Sequence, residues 1–238
     1  MQNNTIKNFI KAEFSGWSKF EAILIPFILT TVIILSINAN DHKIATLHAF
    51  FGILATILAG KGKISCYGIG LIGVFCYSYL AFKNALWGSL LLHILYYIPM
   101  NIIGIFAWKN HLKEDTKEVK KTKLTPKERI LFTLLATIIS IILGIILIYL
   151  NDKYPFPDAF VTILPILAFI LTIKRCFEQW IVWTIVNGIN IIMWLFIFIN
   201  GGNTFATLLT WLIYFCFGIY FLYKWKKELS NEIVEAKK

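Results

Sequence analysis

Between residues 180 and 194 the chain sets Trp180, Trp183, Asn187, Asn190 and Trp194 at alternating intervals of three and four residues. On a helix that spacing gathers all five on one face. Indoles interleaved with amides make a surface that stacks a planar ring and hydrogen-bonds its polar edge. The flanking residues are apolar, and an amide in hydrocarbon is costly until a neighbouring helix, water or a ligand satisfies it. A second stripe runs Trp87, His93, Tyr97, Asn101, Gly104 and Trp108. His93 and Asn101 there need partners, Pro99 frees a nearby backbone carbonyl, and Gly104 permits close helix approach. Each stripe supports two readings. In one, Trp183, Asn187, Asn101, His93, Trp180, Asn190 and Tyr97 bind a substrate. In the other the amides bond between helices and the indoles anchor at the membrane interface. Trp87 and Trp108, near opposite membrane faces, read as belt residues. Tyr67, Tyr77, Tyr79, Tyr96, Trp211 and Tyr214 read as cavity lining or as helix packing.

The elements that must carry these stripes are long and apolar. With 58% hydrophobic and 15% charged residues and a mean hydropathy of +0.71, the chain is not an ordinary soluble domain. Eight apolar segments, roughly 20–38, 44–59, 64–82, 85–108, 129–150, 157–173, 179–199 and 203–223, are each long enough to cross a hydrocarbon core. Of the 23 Lys and Arg, 20 fall before the first segment, in every second gap and after the last; Lys43, Lys83 and Lys153 are the exceptions. Basic loops resist translocation, so this asymmetry predicts both termini in the cytoplasm. The formal charge of +10 then reflects topology and anionic lipid, not nucleic acid. The first apolar segment is too long for a signal peptide core. Cys66, Cys76, Cys176 and Cys216 read as small apolar residues, with disulfides not expected.

Residues 109–129 are rich in Lys, Glu and Thr and form a connector, with a helix start at Thr125–Pro126 and Glu128. A weak repeat spans it. Lys61 and Arg175 are 114 residues apart, as are Gly104 and Gly218. Spans 2–4 and 6–8 therefore read as two three-helix repeats joined by span 5, parallel because the joining span is single, with span 1 extra. The expected division is 1–43, the amino-terminal segment and extra helix; 44–108, the first repeat; 109–156, connector and linker helix; 157–225, the second repeat; and 226–238, a tail. Gly68-Ile-Gly70-Leu-Ile-Gly73 matches a dinucleotide-binding pattern but lies in an apolar helix with no preceding strand, so small-residue helix packing accounts for it. No Ser/His/Asp set, metal cluster or carboxylate pair stands within the spans, and no cofactor or enzyme activity is expected. Without intramembrane carboxylates, passive facilitation fits better than an ion-coupled pump. A nontransporting sensor or assembly partner and a membrane-embedded enzyme are the rival classes.

These stripes resemble those of the PnuC family of nicotinamide riboside transporters. The resemblance runs from about Thr46 to Lys226 and rests on several motifs. They are Gly-Lys-Ile-Ser (62–65), Gly-Ser-Leu-Leu-Leu-His (88–93), Tyr-Tyr-Ile-Pro-Met-Asn (96–101), Pro-Asp-Ala-Phe (157–160) and Lys-Arg-x-x-Glu-Gln-Trp-x-x-Trp-x-x-x-Asn (174–187). It implies an all-α integral membrane fold of eight helices, three plus one plus three with an extra amino-terminal helix, related by architecture to the SWEET sugar transporters. It further implies a homotrimer in the bacterial inner membrane. The implied activity is uptake of nicotinamide riboside by facilitated diffusion through alternating access, with cytoplasmic phosphorylation trapping the vitamin. Carried over by motif, the substrate contacts are Trp183, Asn187 and Asn101. His93 departs from a family pattern that often has Gln. Related carriers take thiamine or riboflavin, and the residues alone do not separate the three.

Overall fold

The computed structural model describes residues 13, 16–38, 43–83, 87–152, 154–201 and 205–235, with the side chains of 20, 87–89, 205–206 and 233–235 outside the description. The helices are α1 (Lys19–Asn38), α2 (Lys43–Gly60), α3 (Ser65–Lys83), α4 (Trp87–Leu92), α5 (Ile98–Lys109), α6 (Pro126–Tyr149), α7 (Pro155–Ile173), α8 (Gln179–Ile199) and α9 (Phe205–Glu235), with a π-helical turn, His93–Tyr97, joining α4 to α5. Together they give eight membrane-length apolar spans, and the described fold is all-helical. The segment expected at 85–108 is one of these spans, with the π-helical turn inside it. Pro99 has no N–H to offer the carbonyl of Leu95, and the chain widens there, with the Ile98 N–H reaching back five residues to the His93 carbonyl. Helix α9 continues to Glu235, into the segment expected to be a tail at 226–238.

The chain forms two compact units, residues 1–120 and 121–238. In the first, α1 packs on α2, α2 on α3, and α3 on both the π turn and α5. In the second, α6 to α9 pack in chain order. Helix α6 starts where Thr125 accepts the Glu128 N–H at 3.3 Å and Glu128 accepts the Thr125 N–H at 2.9 Å. Its buried residues are Ala136, Ser140 and Gly144, a four-residue stripe of small side chains, and Phe156 of α7 fills the space over Gly144. Its other faces expose Ile130, Leu134, Ile138 and Ile142, as lipid contact requires.

The two units repeat local features. Gly104 lies under Tyr67 of α3, and Gly218 lies under Thr184 of α8. Trp108 meets Tyr67 edge-on at 5.0 Å, and Trp225 meets Trp180 edge-on at 5.9 Å. Each unit also has a tight turn at positive φ, at Gly62 (+70°) and Arg175 (+62°). The connector bonds to both turns: the Val119 N–H donates to the Gly62 carbonyl at 2.8 Å, and the Thr122 N–H to the Arg175 carbonyl at 2.9 Å.

Several basic residues read as lipid- and topology-related are buried and paired within the protein. Lys61 meets Glu21 at 2.8 Å, Lys63 meets Glu118 at 3.6 Å, and Lys121 pairs with Glu228. Arg129, half-exposed, meets Glu178 at 2.7 Å. Burial holds the Lys63 ammonium below the ordinary lysine value, and Glu118 opposes that shift. Burial pushes the Cys176 thiol up, which makes it unreactive.

Candidate functional site

In the second unit the stripe on α8 divides by role. Trp180 is only 2% exposed. Its ring packs on Phe221 at 5.1 Å and against Trp225, and its indole N–H is buried without a hydrogen-bond partner among the described residues. The α8–α9 contact holds it in the core. Thr184 donates to the Trp180 carbonyl at 2.6 Å and leans over Gly218, so the two helices approach closely at this level. One turn along, Trp183 is half-buried. Asn187 follows on the same face, 5% exposed, and its amide makes no side-chain hydrogen bond among the described residues. Asn190 is different, since its amide donates to the Val186 carbonyl at 2.9 Å. Trp194 is half-buried near the far end of α8.

In the first unit the stripe gathers around the π turn. His93 stacks on Tyr77 of α3 at 4.3 Å and 22°, and Tyr97 lies 4.9 Å from the same imidazole. Tyr77 also meets His48 of α2, with ring centroids 5.1 Å apart, and the His48 Nδ1 lies 3.0 Å from the Gly73 carbonyl oxygen. The result is an alternating His–Tyr–His–Tyr cluster. Asn101, 3% exposed, donates to the Tyr97 carbonyl at 2.8 Å. Trp108 is wholly buried against Tyr67, so it is a core residue and not a lipid-facing belt residue. The side chain of Trp87, the other belt candidate, lies outside the described residues.

Residue periodicity did not single out His48, and it grouped Tyr77 with generic lining residues. The available signal was an ionisable ring alone within an apolar span, which by default marks function. Among the described residues no group of His, Cys, Asp or Glu is placed to hold a metal ion. The chemistry on offer is stacking and neutral hydrogen bonding.

A family model described as nicotinamide mononucleotide transporter matches residues 42–227. The chain belongs to this family. It is a family of membrane transporters and not of enzymes, and every candidate residue above lies inside the matched range. The chain is 32% identical to a nicotinamide riboside transporter PnuC of Neisseria mucosa, over 90% of this chain and 83% of the relative. A protein of the same name from Haemophilus influenzae is 29% identical, over 94% and 97%. A crystal structure of the vitamin B3 transporter PnuC superposes with a TM-score of 0.78 at 31% identity, covering 94% of this chain and 98% of that one. Helix α1 precedes the range that the family model matches.

Proposed function

We propose that this chain carries nicotinamide riboside across the bilayer by facilitated diffusion. The observation that carries the reading is Asn187: a residue only 5% exposed whose amide makes no side-chain hydrogen bond among the described residues, one turn from a half-buried indole, in a chain whose family is transporters. Nicotinamide riboside presents an aromatic pyridinium, a carboxamide and ribose hydroxyls. A cationic ring stacks well on Trp183, because the indole face is electron-rich. The Asn187 amide complements the carboxamide, donating to its oxygen and accepting from its nitrogen. His93, Tyr97 and Asn101 are proposed to meet the substrate along the first unit with the same neutral chemistry, and Asn190 to support the α8 face. Trp180 acts through packing beneath that face.

The family model is named for the mononucleotide and the curated relatives for the riboside. The stripes favour the riboside. A phosphate adds about −1.5 to −2 charge and asks for Arg or Lys, and neither stripe contains one. The carrier exposes its site alternately to each side. It needs no coupling ion when cytoplasmic phosphorylation removes the free vitamin. Both termini are proposed to be cytoplasmic, the two units to be three-helix repeats joined by α6, and the assembly to be a homotrimer.

The test is uptake of labelled nicotinamide riboside by purified protein in liposomes without an ion gradient, with nicotinamide mononucleotide, thiamine and riboflavin as competitors. Saturable uptake insensitive to all three is expected. Competition by the mononucleotide would overturn the argument from absent cations, and competition by another vitamin would move the substrate. No flux with any of them would leave a sensor or assembly partner as the better reading.

A further inference from the structure

The glycine motif at Gly68, Gly70 and Gly73 was assigned to helix packing, yet its three members have different neighbours. A side chain on Gly68 would meet nothing within 4 Å. Gly73 faces α2, where an added Cβ would lie 3.7 Å from the Gly52 nitrogen and from the Phe51 Cβ, ordinary packing distances. Gly73 also has His48 Nδ1 at 3.9 Å, whereas Gly70 faces the Asn101 amide more closely. An added Cβ there would stand 3.0 Å from Asn101 Oδ1, with Asn101 Cγ at 3.9 Å and the Ala55 Cβ of α2 at 3.8 Å.

The Asn101 amide is therefore held at its nitrogen and confined at its oxygen. Its nitrogen is held by the Tyr97 carbonyl, one turn back at the π-helical segment, and its oxygen lies over the bare Cα of Gly70. An added methyl at that distance is tighter than ordinary packing, so the amide must shift by a few tenths of an ångström, and Ala55 narrows the notch on the α2 side.

We propose that Gly70 is a positioning residue for substrate recognition: its missing side chain is the notch that sets the direction of the Asn101 carbonyl oxygen. The inference rests on the reading of Asn101 as a substrate contact. Gly70 touches no substrate and acts through Asn101. Nor does it serve the helix itself, since glycine within a helix is a poorer choice than alanine. Replacing it with alanine leaves the helix favoured and moves the amide.

The measurement is the concentration dependence of nicotinamide riboside uptake in liposomes for Gly70→Ala, Gly68→Ala, Asn101→Ala and the double variant Gly70→Ala/Asn101→Ala. Thermal unfolding of each purified protein is followed in parallel. Gly68→Ala is expected to match the parent. Gly70→Ala is expected to raise KM about tenfold, as the loss of one oriented hydrogen bond implies, with its unfolding midpoint unchanged or raised. In the Asn101→Ala background the same substitution is expected to have no further effect. A Gly70→Ala protein with parental KM, or one whose penalty persists without the Asn101 amide, would overturn the proposal. Should Gly70→Ala fail to fold, recovery of folding in the double variant supports the steric coupling and continued failure overturns it. Parental uptake by Asn101→Ala would instead remove the substrate role of Asn101 itself, and the positioning role with it.

Discussion

Asn187 and Asn190 stand three residues apart on α8 and answer to different forces. The Asn190 amide is satisfied by Val186, whereas that of Asn187 has no side-chain hydrogen bond among the described residues. Asn187→Leu should therefore abolish saturable uptake while keeping the unfolding midpoint in detergent, because no side-chain hydrogen bond among the described residues is lost. Asn190→Leu should retain part of the uptake. Equal loss of folding in both would argue that Asn187 is structural. The tryptophans divide in the same way. Trp183→Ala should end uptake with membrane expression intact. Trp180→Ala should cost about 3–5 kcal/mol of stability, seen as loss of folded protein, because it empties the space against Phe221 and Trp225. The stripe was legible in residue spacing, but this division was not. A period of three and four fixes only the angle at which a side chain leaves its helix, and what waits at that angle belongs to the neighbouring helix.

Among the elements, α1 and the π turn give the clearest contrasts. Helix α1 is tied to the turn after α2 by Lys61, whose ammonium meets Glu21 at 2.8 Å and the Gly16 carbonyl at 2.6 Å. Both charged residues are buried, so removing one leaves the other uncompensated. Lys61→Met should cost about 3 kcal/mol, and Lys61→Met with Glu21→Leu should recover most of it, as read by thermal unfolding. A double variant no better than the single would show that the pair is not the source of the loss. The Thr125 cap was readable because its signals lie within four residues of one another. The π turn was not, since Pro99 announces a broken hydrogen bond without saying whether the helix will kink, stop or widen. Likewise Lys63 reads as a loop charge, and only the return of residues 116–119 to its turn buries it.

At the scale of the whole molecule, the absence of acidic residues from the membrane interior bears on energetics. Uptake into liposomes should be unchanged when a proton or sodium gradient is imposed or collapsed; acceleration by either gradient would show coupling. Sequence determined the eight spans, because crossing hydrocarbon requires long apolar helices and that demand is written in composition. It also placed the two polar stripes and paired Gly104 with Gly218, both of which admit a side chain from the preceding span. Only the tertiary structure decided that Trp180 and Trp108 are core residues, that His48 joins Tyr77 and His93, and that Gly70 faces Asn101. Periodicity is a property of one helix, whereas burial, stacking and the filling of a notch are properties of two or three helices, and no single span encodes its neighbours.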